Sequence, residues 1–141
     1  MKDISIEVPF VRGKDRPRFI RKTGRVYTPL KTVQAMKSIR DAYLEAGGEK
    51  APSDVAVYMH ITAVRPIPKS KPKKLEWEFD LFKPDADNIG KLVMDALNGI
   101  AYGDDAQVVE LSVHKCPRIK DMREHMLIWI HWEEADEGDR D

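Results

Sequence analysis

The chain has 141 residues, with 24 Lys and Arg balanced by 24 Asp and Glu. That length accommodates one domain with a real core and excludes two. There is no apolar run of membrane-spanning length and no signal-peptide pattern, and Cys116, the single cysteine, cannot close an internal disulfide, so a cytoplasmic protein is expected.

Ile4, Ile6 and Val8 alternate and predict a first strand. Arg16 to Tyr27 reads as a short basic hairpin or loop turning at Thr23-Gly24. Thr28-Pro29 is a helix opening, Thr as N-cap and Pro at the first helical position. The helix carries Val33, Met36, Ile39 and Tyr43 at helical spacing, read as core, and stops at Gly47-Gly48. Val55, Val57, Met59, Ile61 and Ala63 alternate as a long strand.

Arg65 to about Lys83 follows as a proline- and lysine-rich loop. It is longer than most connections in a compact domain, so it is either functional, with lysines facing a polyanion, or disordered. A second helix is predicted from about Ala86 to Asn98, with Ile89, Leu92, Val93, Ala96 and Leu97 on one side. Asp87, Lys91 and Asp95 form a stripe on the other, where Met94 is also a candidate for burial by a partner. Two strands close the domain, the first carrying Val109, Leu111 and Val113, the second Met126, Ile128, Ile130 and Trp132. His60, His114, His125 and His131 show no zinc-type pairing with cysteine and are read as strand or loop residues. The expected fold is α/β (α+β): a mixed sheet of about four main strands packed by two helices.

The charge balance hides an asymmetry. Residues 133–141 hold six acids and one base and are expected to be a disordered, solvating tail behind a domain spanning 1–132. Without the tail, 23 bases face 18 acids. Residues 1–40 alone carry 11 bases against three acids. Phosphate binding needs clustered charge rather than a basic total, so DNA contact is favoured over a solvated face.

Five carboxylates crowd the stretch from Asp85 to Asp105: Asp85, Asp87, Asp95, Asp104 and Asp105. An Asp-x-Asp pair joined by a third Asp from a nearby strand is what a hard divalent cation such as Mg²⁺ requires, and such sites perform phosphoryl chemistry. Asp85 or Asp87 could equally be a helix N-cap, Asp104-Asp105 a turn, and the Asp87-Lys91-Asp95 stripe an exposed salt-bridged face. A calcium loop starting at Asp85 fails, because Ile89 and Ala96 stand where ligands are needed.

Pro84-Asp85-Ala86-Asp87-Asn88-Ile89, Lys91, Asp95-Ala96-Leu97-Asn98-Gly99-Ile100 and Asp104-Asp105-Ala106-Gln107-Val108 together resemble the RusA-like endonucleases, resolvases of Holliday junctions common in prophages. Val8-Pro9, Arg16-Pro17-Arg18 and Gly24-Arg25-Val26-Tyr27-Thr28-Pro29 extend the resemblance to roughly residues 4–132. Where family members can carry a basic residue just before the first aspartate, this chain has Pro84, with Lys83 one step back. The resemblance implies a homodimeric endodeoxyribonuclease of DNA recombination and repair that nicks four-way junctions symmetrically. It implies Asp85, Asp87 and Asp105 as catalytic metal ligands for Mg²⁺, with Mn²⁺ as a substitute, and Lys91 as a lysine important for cleavage. Asp95 and Asp104 are supporting candidates, orienting ligands or the local fold. Arg16, Arg18, Arg21, Lys22 and Lys83 are candidate DNA contacts. The alternatives are a nuclease for other branched or duplex DNA, a non-catalytic DNA-binding scaffold, or an interaction protein using its acidic tail.

Overall fold

A computed structural model describes residues 1–134. The strands are β1 (Lys2–Val8), β2 (Arg18–Ile20), β3 (Arg25–Tyr27), β4 (Val57–Val64), β5 (Trp77–Glu78), β6 (Val108–Lys115), β7 (Arg118–Ile119) and β8 (His125–Trp132). The helices are α1 (Leu30–Glu45) and α2 (Ala86–Leu97). The expected α+β architecture is the one observed: a mixed four-stranded sheet ordered β1-β8-β4-β6, with two helices on one face. β8 runs antiparallel to both β1 and β4, whereas β6 lies parallel to β4 on the edge.

Alternation explains the core. Val57, Met59, Ile61 and Ala63 of β4 and Met126, Ile128, Ile130 and Trp132 of β8 are all buried on the helix side. Ile89, Leu92, Val93, Ala96 and Leu97 of α2 meet them there, fully buried as their spacing predicts. Gly90 lets α2 approach β6 closely: a Cβ there would lie 3.0 Å from Leu111 Cδ2. β6 therefore runs back along α2, which is what brings the Asp104-Asp105 turn beside that helix. All four histidines lie in strands. His60 and His131 face each other on the uncovered side of the sheet, with their Nε2 atoms 3.2 Å apart.

Several sequence expectations need correction. The N-cap of α1 is Pro29 rather than Thr28, and no side chain caps it. Val33 is exposed; the buried face of α1 is Thr32, Ala35, Ile39 and Tyr43. The polar Thr32 is turned inward because its hydroxyl donates to Asp15 Oδ2 (3.2 Å). Val108 takes the place foreseen for Val109, since a bulge after the Val57–Val108 pair shifts the register and leaves Val109 exposed. Met94 is partly buried against the core of its own chain. The segment Arg65–Lys83 is not structureless, for β5 pairs antiparallel with β7 as a small ribbon. The acidic tail lies outside the described residues from position 135 onward.

Candidate active site

The loop entering α2 sets the acids in place. Asp85 occupies the N-cap position in extended conformation (φ −70°, ψ 153°), yet its carboxylate caps nothing. Instead it accepts a hydrogen bond from Lys83 Nζ at 2.8 Å. That bond, aided by the charges of Lys83 and Lys115, holds the carboxyl below the ordinary range against a smaller opposing effect of burial. Asp87 follows in the first turn, well exposed, with Lys91 Nζ 3.9 Å away. The helix-cap explanation of the Asp-x-Asp pair therefore fails for its side chains.

The connection from β1 to β2 folds over this helix start. Gly13 touches it directly: a Cβ there would sit 2.8 Å from Pro84 Cβ and 3.0 Å from Asn88 Cβ. Lys14 N donates to Asn88 O (3.0 Å), fixing the segment against the helix. The result is an open polar cleft of about 580 Å³, lined by Lys14, Arg16, Lys83 and Lys91 together with Asp15, Asp85 and Asp87. Of the anticipated DNA contacts, Arg16 and Lys83 are in the cleft. Arg18, Arg21 and Lys22 belong to the β2–β3 hairpin, whose strand residues are all exposed. In the sequence Lys14 is one base of the run in residues 1–40, with nothing local that marks it as a site residue beyond its place two residues before Arg16.

Asp105 begins a single 3₁₀ turn (Asp105–Gln107) rather than the strand itself. Asp104 caps that turn, its Oδ2 accepting from Ala106 N at 3.0 Å. Asp105 is not among the residues lining the cleft. It is linked to it through Asp95, which binds Lys14 Nζ. Burial chiefly raises the Asp105 carboxyl, and the negative charges of Asp95 and then Asp104 push the same way, while Tyr102 and Lys14 oppose them. The buried Tyr102 hydroxyl donates to Met94 O (2.6 Å), and burial and the neighbouring Asp105 raise its pKa strongly. Asp95 lies eight residues past Asp87 on α2, about 12 Å of helix rise. Asp95 is half-buried and pairs with Lys14, and its charge acts on Asp105.

Carboxylate oxygens are the donors a hard divalent cation prefers. Asp105 Oδ1 is buried without a hydrogen-bond partner, an orphaned acceptor that a cation would satisfy. Among the described residues, however, no three His, Cys, Asp or Glu side chains are gathered into a metal-holding group. Lysine ammonium groups neutralise Asp85, Asp87 and Asp95 instead. The residues fit a hard cation in donor type, with lysines as the resting counter-charges.

A family model for endodeoxyribonuclease RusA matches residues 9–124, a span that includes every residue of this site. The chain belongs to the RusA endodeoxyribonuclease family. The uncharacterized protein YqaN of Bacillus subtilis (strain 168) is 48% identical over 67 residues, covering 42% of this chain. The chain spans about half the length of that curated relative (47%). Among the described residues no helix is long and apolar enough to cross a membrane.

Proposed function

We propose that the protein is a Mg²⁺-dependent endonuclease that resolves Holliday junctions by paired, symmetric nicking, with Mn²⁺ as a substitute ion. The observation that carries this reading is the cleft itself. It sets Asp85 and Asp87 among four cationic side chains, Lys14, Arg16, Lys83 and Lys91, in a polar opening on the surface. A structural helix terminus has no need of uncapped acids ringed by cations. A phosphodiester does, since its backbone anion must be held while charge develops on the phosphate.

Asp85, Asp87 and Asp105 would hold the metal, which when bound polarises the phosphate and supplies hydroxide as nucleophile. Lys91, one helical turn from Asp87, would contact the scissile phosphate and stabilise its developing charge. Arg16 and Lys83 would grip the flanking backbone, and the exposed hairpin with Arg18, Arg21 and Lys22 would reach further along the same arm. Lys14 would be a positioning residue, holding the Asp95 carboxylate with its ammonium. A homodimer would supply two such clefts related by two-fold symmetry, which matches the near two-fold symmetry of a four-way junction.

The test is cleavage of a synthetic four-way junction in Mg²⁺ by the native chain and by Asp87→Asn. Paired nicks by the native protein, with binding but no cutting by the variant, are expected. Binding without cleavage by both, in Mg²⁺ and in Mn²⁺, would leave a DNA-binding scaffold.

A further inference from the structure

The segment Trp77–Leu81 alternates apolar and acidic residues, and the apolar set is the one that faces water. Trp77, Phe79 and Leu81 are 56%, 64% and 85% exposed, whereas Asp80 between them is 7% exposed. Two ion pairs fix this orientation. Arg118 reaches across from β7 to Glu78, donating from Nε at 2.9 Å. Arg65 grips both oxygens of Asp80, at 2.9 and 2.5 Å. A slip of one residue would turn the three apolar side chains inward, and the two bound acids forbid it.

The exposed row is continuous with Ile119, which pairs with Trp77 across the ribbon. Trp77, Phe79, Pro117 and Ile119 line a shallow apolar depression of about 550 Å³. Contiguous exposed apolar surface of this kind marks an interaction site. Its margin identifies the occupant. Lys120 N donates to Glu76 O (3.0 Å) and its ammonium to Lys73 O (2.9 Å), which brings the lysine loop to the ribbon's edge. Lys69, Lys73, Lys74 and Lys120 have no carboxylate partner among the described residues. A second copy docked here by two-fold symmetry would set these lysines against their own images. A polyanion with exposed aromatic faces matches both the ring surface and the charge, and unpaired nucleobases are such a group.

We propose that Phe79 and Trp77 form a stacking platform for unpaired bases of branched DNA. The inference rests on the nuclease reading of the neighbouring cleft. Phe79 precedes Asp85 by six residues, so their Cα atoms are at most about 21 Å apart. That is no more than about six base steps at 3.4 Å each. The connecting chain is held: the Phe82 ring lies under Arg118 (3.9 Å) and Lys71 (5.0 Å), and Lys115 Nζ donates to Phe82 O at 2.5 Å. Bases displaced at a branch would therefore stack within reach of the phosphate held in the cleft. A fully paired duplex hides its base faces and gains nothing from the platform.

The experiment measures dissociation constants of the full chain, without divalent metal, for a four-way junction and for a linear duplex. The junction carries 2-aminopurine at the branch, and the proteins are native, Phe79→Leu and Phe79→Tyr. Phe79→Leu keeps apolar bulk and loses the ring; it should weaken junction binding about 5- to 150-fold. It should also raise 2-aminopurine fluorescence and leave duplex binding unchanged, while Phe79→Tyr behaves as native. Equal affinities of Phe79→Leu and native for the junction overturn the platform, as does an equal loss on both DNAs. So does a sedimentation result in which Phe79→Leu converts a dimer to monomer, which assigns the patch to a second copy. Native cleavage is assayed in parallel with Mg²⁺. Loss of the platform with native cutting intact leaves the nuclease reading standing, and absence of native cutting refutes that reading without touching the stacking signal.

Discussion

The cleft at the start of α2 and the ribbon of β5 and β7 use the same chemical pairs to opposite ends. In the cleft, Lys83–Asp85 and Lys91–Asp87 are open to solvent. In the ribbon, the side chain of Asp80 is fully enclosed and that of Arg65 is 16% exposed, with Lys115 Nζ a further 3.8 Å away. An exposed pair is worth about 0–1 kcal/mol, because water competes for both partners. Breaking a buried pair costs about 3–5 kcal/mol, because the survivor is left charged and unsolvated. Exposed pairs exchange partners readily, and buried ones hold a shape. The cleft needs the first property, since its acids and its cations must each be free to meet a ligand. The ribbon needs the second, since it fixes which side chains face out.

The sharpest way to break this comparison is Asp87→Asn. Cleavage of a four-way junction should fall by about 10³-fold or more, the size of a lost metal-ligand contribution to charge stabilisation. The melting temperature should barely change. A large loss of stability would mean that the cleft acids are structural after all. Asp80→Asn should do the reverse, lowering stability by about 3 kcal/mol, or roughly 10 °C in Tm.

Acid should act on the same pair. Burial works to raise the Asp80 carboxyl, but the Arg65 hydrogen bonds and the charges of Arg65 and Lys115 outweigh it and hold the carboxyl below its ordinary value. Its stabilisation is therefore complete above the unfolded-state pKa of about 3.9 and is lost as pH falls through the lower folded value. Denaturation midpoints followed from pH 6 to pH 2 should fall more steeply in the native chain than in Asp80→Asn. Parallel curves would remove Asp80 from the acid response.

Gly13→Ala tests the packing that assembles the cleft. A methyl 2.8 Å from Pro84 must lift the Lys14–Arg16 segment, and overpacking of this kind costs about 1–3 kcal/mol. Junction affinity should fall with stability; unchanged affinity would show that the segment does not shape the binding surface. The smallest expected effect is that of Arg16→Ala, which should weaken binding on all DNAs alike and reduce the salt slope by about one. An unchanged slope would take Arg16 off the phosphate path.

Local pattern was enough for the architecture. Strict alternation in Val57–Ala63 and in Met126–Trp132 set two central strands, and 3.6-residue spacing in Ile89–Leu97 set α2 with its face, because burial on one side imposes those periods whatever the neighbours are. Residue type and order marked the acidic stretch from Asp85 to Asp105, and the resemblance named Asp85, Asp87, Lys91 and Asp105 within it. What the chain could not declare locally were contacts between distant positions. The bulge that exposes Val109, the inward turn of Thr32, and the docking of Gly13 and Lys14 onto Asn88 each depend on a partner far along the chain. The same holds for Trp77–Leu81, whose alternation marks two faces without saying which is covered. Hydrophobicity alone would have buried Trp77, Phe79 and Leu81. Tertiary structure decided otherwise, because a buried carboxylate is tolerable only beside its cation, and Arg65 and Arg118 stand on the inner side.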